Sequence, residues 1–205
     1  MAKINPQDYA NNSSSNNQNN GSETQERKDV TTAGVKVLQP AAASFRTTMS
    51  GKLQLEIAFA CLESMDHPML ENGGLYMEKF SLSEGALWRI GNFANAIGYS
   101  TPFDPEHGPD VLSLISAAKP FRAKLEEREW NDKTYLQIKF FDGWRGAATD
   151  EQKKLVSSCG KRYNALVKSR VDNGWEVTPI RAPEVNPLDE SGGWDDPAGA
   201  EDIPF

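Results

Sequence analysis

Residues 52–62 place Leu53, Leu55, Ile57, Phe59 and Cys61 at every second position. Strand side chains point alternately to opposite faces, so this spacing predicts a half-buried β-strand. A weaker strand is read over 34–39, ended by Pro40. A third is read over 75–81, after the turn signal Asn72-Gly73-Gly74. Ser81 and Glu84 then stand at capping-box spacing. Leu87, Ile90, Phe93, Ala94 and Ile97 recur at helical spacing until Gly98, which predicts a helix that stops there. A short amphipathic piece covers 110–118. Residues 121–130 and 134–141 alternate again around Asn131-Asp132-Lys133, a hairpin signal. Thr149 and Gln152 open a long helix over 149–173, with Leu155, Val156, Cys159, Leu166 and Val167 as its apolar stripe.

Three strands, a helical insert, a two-stranded hairpin and a terminal helix give a mainly β, α+β class. The order fits a five-stranded OB-fold barrel with its helical insert between strands 3 and 4. An unrelated α+β sheet would give the same string. This unit is expected over 34–180. Residues 1–33 are expected to be a disordered arm, since 10–26 are mostly Asn, Ser and Gln and offer little apolar surface to offset ordering entropy. Residues 181–205 are expected to be a disordered tail, broken by Pro183, Pro187, Pro197 and Pro204 with Gly192, Gly193 and Gly199.

Composition narrows the function. The 205 residues are 38% apolar, below the ~45–50% usual in a compact domain, in keeping with long tails. No apolar run approaches the ~20 residues of a membrane span. The start, Met1-Ala2-Lys3-Ile4-Asn5-Pro6, lacks the apolar stretch of a secretory signal, so a cytoplasmic location is expected. Cys61 and Cys159 are too few and too far apart for a disulfide framework or a zinc site.

The net charge of −7 is unevenly spread. Residues 182–205 hold seven acids and no Lys or Arg, whereas 119–181 carry 14 Lys/Arg against 9 Asp/Glu. A basic segment beside an acidic tail points to charged partners. Strict alternation splits the hairpin into faces. Phe121, Ala123, Leu125, Leu136, Ile138 and Phe140 are assigned to the core. Arg122, Lys124, Glu126, Arg128, Trp130, Tyr135, Lys139 and Phe141 fall on the outer face, with Trp144 and Arg145 following. Cations interleaved with exposed aromatics suit an unpaired strand, whose phosphates need positive charge and whose bases need flat partners. The competing reading packs Trp130 and Phe141 under a loop or the terminal helix and leaves the cations as a solvated edge. Lys153, Lys154, Lys161, Arg162, Lys168 and Arg170 are read either as an extended DNA track or as a solvated helix face.

The last five residues, Glu201, Asp202, Ile203, Pro204 and Phe205, have the character of a docking peptide: apolar groups for a pocket, and acids for a basic rim. This tip resembles that of bacterial single-stranded DNA-binding proteins, which typically ends in several Asp followed by Ile-Pro-Phe. Glu201 stands where an Asp is usual. The stretch Lys79-Phe80-Ser81-Leu82-Ser83-Glu84-Gly85-Ala86-Leu87-Trp88, with the stop at Gly98, resembles phage-encoded proteins of the same type. The resemblance implies an OB-fold that holds single-stranded DNA. It also implies a tip that recruits replication, recombination and repair proteins in a bacterial or phage-infected cell, near the nucleoid. The long leader, the helical insert and the terminal helix depart from the bacterial pattern, which puts its tetrameric state in doubt, and a homo-oligomer stays among the options.

No catalytic constellation is read. His67 and His107 have no ligand-spaced neighbours, no phosphate-cradling Gly-rich loop occurs, and no nucleophile has a base beside it. No cofactor, metal or membrane partner is expected. The function expected is non-enzymatic binding and protection of single-stranded DNA, with partners recruited through the tip. The alternatives are a protein-binding adaptor with a docking tail, and a recombination-associated nuclease.

Overall fold

The computed structural model describes residues 3–9, 33–64, 74–130, 133–144 and 146–181. They form an α+β fold around one antiparallel sheet. Its strands are β1 (Gly34–Thr47), β2 (Leu53–Ser64), β3 (Leu75–Ser81), β4 (Phe121–Trp130), β5 (Lys133–Gly143) and β6 (Val177–Ile180). The helices are α1 (Leu87–Ala96) and α2 (Gly108–Ser116), between β3 and β4, and α3 (Asp150–Asp172), after β5. The strand order is β3-β2-β1-β4-β5, with β6 paired to the second half of β1.

Several elements follow their sequence signals closely. α1 ends where Gly98 takes φ +76°, a conformation that costs glycine nothing. Thr149 and Gln152 form a reciprocal capping box at the start of α3. The expected Ser81–Glu84 box does not form. Ser81 is the last residue of β3, and the one-turn helix from Glu84 has Ser83 as its N-cap with no side-chain cap bond. β1 does not stop at Pro40 but runs on to Thr47, with a register shift between Pro40 and Ala42. A bulge is where a strand tolerates proline, which has no N–H to give the ladder. β6 carried no clear signal in so short a segment. Ile4 is buried and bridges Phe103 through backbone bonds of 2.7 and 2.9 Å, so the arm expected over 1–33 begins with a docked segment.

The sheet has a core on each face. On one, Leu55, Ile57, Phe59 and Cys61 of β2 pack with Tyr76, Phe80, Ile90, Phe93, Phe103, Val111 and Phe121 beneath α1 and α2. On the other, Val37, Ala58, Ala60, Leu62 and Leu75 meet Cys159, Tyr163 and Val167 of α3. β2 is therefore buried on both faces, not one. A Cβ at Gly160 would lie 2.9 Å from the Ala41 carbonyl oxygen, so glycine lets α3 approach β1 closely. A buried clamp holds the helix in place. Glu56 accepts hydrogen bonds from Arg170 at 2.5 Å and from the Tyr163 hydroxyl at 3.0 Å, and the Ser44 and Tyr163 hydroxyls lie 2.6 Å apart.

β3 and β5 are the ends of the strand path, and no backbone ladder joins them among the described residues. Side chains bridge the gap instead. The Glu78 carboxylate accepts the Ile138 N–H at 3.2 Å, and Arg89 of α1 donates to Glu78 at 2.8 Å and to the Ile138 carbonyl at 2.9 Å. Tyr76 also donates to Glu78. These groups satisfy both polar groups of Ile138, which would otherwise be an unpaired edge.

Candidate nucleic-acid interface

The cationic ribbon is built by pairing. β4 and β5 set Arg122 opposite Asp142, Lys124 opposite Phe140, Glu126 opposite Gln137 and Arg128 opposite Tyr135. Cross-strand partners share a face, so these eight residues stand on one side of the hairpin. On the other side Leu125 pairs with Ile138, and Ala123 with Phe141. The register slips between Lys124 and Leu125, leaving Lys139 as an extra residue in β5. That bulge reverses the alternation beyond it. Phe141, assigned by strict alternation to the outer face, is turned into the core, with its ring centroid 6.2 Å from Phe80, 5.8 Å from Phe93 and 6.0 Å from Phe121. Phe140, assigned to the core, is instead 43% exposed. The aromatic position on the ribbon survives, but a different residue fills it. No sequence signal marks a bulge at Lys139, just before two adjacent phenylalanines.

The direction of this face is fixed through β1. Val37 pairs with Arg122 and Val35 with Lys124, and Val37 belongs to the core cluster under α3. Arg122, Lys124 and their neighbours therefore project from the same side of the sheet that α3 covers farther along. Arg122, Lys124, Glu126, Lys139 and Asp142 keep 37–61% of their side-chain surface in solvent.

The cations are held by acids. Arg122 pairs with Asp142, through an Nε–Oδ2 bond of 3.0 Å among others. Lys124 and Lys139 converge on Glu126 at 2.6 and 3.0 Å. Their hydrogen bonds, that of Lys124 foremost, hold the Glu126 carboxyl below its ordinary pKa. Arg128 donates to Gln137 at 3.2 Å. Exposed ion pairs are worth only ~0.2–1 kcal/mol each. A phosphate can take over such a lysine at little cost, so the acids align the cations without locking them.

Other expected site residues divide as follows. Tyr135 is half-buried and on the ribbon. Trp130 pairs through its backbone with Lys133, continuing the outer-face register. Its side chain lies outside the described residues, as do Arg145, His67 and the whole tip Glu201, Asp202, Ile203, Pro204 and Phe205. Trp144 does not join the ribbon's open face: it is half-buried against the cluster under α3. Arg170 is removed from any DNA track by its buried pairing with Glu56. His107 contacts Asp110 at 2.9 Å, at the start of α2. Among the described residues there is no group of three or more His, Cys, Asp or Glu able to hold a metal ion, and no helix long and apolar enough to cross a membrane.

The chain matches no protein-family model, and no curated protein matches it in sequence.

Proposed function

We propose that this protein binds and protects single-stranded DNA during replication, recombination and repair, without catalysis, and recruits partner proteins through the acidic tip Glu201, Asp202, Ile203, Pro204 and Phe205. The observation that carries the reading is the outer face of the β4–β5 hairpin. Arg122, Lys124, Arg128 and Lys139 lie there around Tyr135 and Phe140 on one ribbon, with Arg122, Lys124, Lys139 and Phe140 open to solvent and Arg128 and Tyr135 half-buried. Phosphates meet the cations and bases stack on the rings. Duplex DNA keeps its bases inside the stack and offers the rings nothing.

The strand order supports the same reading. Strands ordered 3-2-1-4-5, with helices between the third and fourth, are the neighbour order of an OB-fold. We read the side-chain seam between β3 and β5 as the open part of that barrel. The turn joining β4 to β5 then corresponds to a loop that OB-folds use for oligonucleotides.

Binding of oligothymidylate, measured by fluorescence anisotropy against salt, tests this. With four cations on phosphates, log affinity falls against log salt with a slope of roughly −3, at ~0.7 per contact. Phe140→Ala weakens binding about tenfold, the effect of losing one stacked base at ~1–3 kcal/mol, while leaving thermal stability nearly unchanged because the ring is already exposed. A flat salt response, or full affinity in Phe140→Ala, would sink the proposal.

A further inference from the structure

The second basic feature of the molecule is α3. Between residues 152 and 171 the sequence holds six Lys or Arg and no Asp or Glu. Arg170 is buried against Glu56, and Lys153 bonds Asp150 at 2.9 Å. Lys154, Lys161 and Lys168 recur every seventh residue, which at about 3.6 residues per turn sets them on one line. That line lies opposite the buried side of Cys159, Tyr163 and Val167. All three lysines are exposed, and none has an ion pair among the described residues. A solvated helix gains ~0.2–0.5 kcal/mol from each Glu placed four residues from a Lys. Asp150 stands four residues before Lys154 and Asp172 four after Lys168, so only Lys161, with no acid within four residues, forgoes that gain entirely.

Its placement gives the face a partner. Gly160 lies against Ala41 of β1, while the Cys159 thiol approaches the Gly74 carbonyl, just before β3, at 3.9 Å. The helix edge continuing Gly160, namely Lys153, Ser157, Asn164 and Lys168, is thus turned toward β1, whose first half pairs with β4 and whose second half pairs with β6. α3 and the hairpin cations stand on the same side of the sheet. A polyanion lying across the ribbon therefore meets the helix as it leaves.

We infer that α3 is a second phosphate track, so that one DNA strand runs from the β4–β5 ribbon onto Lys154, Lys161 and Lys168. This rests on the hairpin binding single strands. The test combines Lys154→Gln, Lys161→Gln and Lys168→Gln in the full chain, with thermal unfolding to confirm that the fold is kept. Binding is measured to oligothymidylates of increasing length over a range of salt. Short oligomers, which fill the ribbon alone, bind both proteins equally with a slope of roughly −3. Longer ones steepen the wild-type slope to roughly −5, while the variant stays near −3 and binds about tenfold more weakly or worse. Equal slopes for both proteins at every length would reduce the helix to a solvated face and overturn the inference. Tighter binding by the variant would place the acidic 182–205 stretch on the helix and overturn it equally. Absence of wild-type binding to any oligomer would sink the hairpin reading itself, and this inference with it.

Discussion

At the scale of single residues, Tyr163 ties the helix to the sheet in a way that pH can read. Its hydroxyl is buried between Ser44 and Glu56. Burial foremost, and then the Glu56 carboxylate, push its pKa well above the ordinary value of 10. Below that value both folded and unfolded chains hold the proton. Above it the unfolded chain releases the proton and the folded chain keeps it, so stability falls as pH rises through and beyond 10. Tyr163→Phe removes this contribution. Urea unfolding of both proteins should show the wild type losing stability faster above pH 10, by at most ~1.4 kcal/mol per pH unit relative to the variant. Near neutrality the variant should be weaker by ~1.5–3 kcal/mol, the worth of a hydrogen bond to a buried carboxylate such as Glu56. Parallel pH curves for the two proteins would mean that the hydroxyl titrates in the folded state as it does in water.

At the scale of elements, the bulge at Lys139 decides which face each aromatic of β5 occupies. Removing Lys139 joins Ile138 directly to Phe140 and restores strict alternation, with Ile138 inward, Phe140 outward and Phe141 inward. The deletion should therefore keep the fold, with stability within about 1.5 kcal/mol of the parent by chemical denaturation, and flatten the salt slope of binding by ~0.7. Loss of folding would show that the bulge sets the register and is not merely tolerated by it. The same element shows what the sequence could reveal. The hairpin and both its strands were legible, because each arm alternates over long runs. The interruption was not, because an inserted residue changes phase without changing composition. β1 hid its length similarly: Pro40 reads as a stop, yet the strand passes it at a register shift. The Ser81–Glu84 spacing misled in the opposite direction, since Ser81 was already committed to the β3 ladder with Gln54.

At the scale of the whole molecule, the order of elements was readable but the second core was not. One face of β2 announces itself through Leu55, Ile57, Phe59 and Cys61. The other carries Glu56, Ala58 and Ala60, which look like a solvated face and are in fact wholly buried. They are buried because α3 brings Arg170 and Tyr163 to the Glu56 carboxylate, and because Gly160 and the alanines let backbones come close. Polar groups satisfied across a long loop of chain leave no periodic signature. The cations of the ribbon were legible as a set, since alternation holds through β4. The way acids align them was not.

Each layer also happens to contain a single thiol: Cys61 on β2 beneath α1 and α2, and Cys159 on the buried side of α3, where burial raises its pKa. Neither sulfur offers a reactive thiolate at its surface, so alkylation has to wait for its own layer to part. The α3 layer is the smaller and rests on alanines and a polar clamp. In mild denaturant Cys159 should therefore be labelled ahead of Cys61, a difference that peptide mass spectrometry resolves. Simultaneous labelling would instead show both layers opening as one cooperative unit. The protein thus carries a built-in pair of clocks, one per layer, for timing how the helix lifts from the sheet.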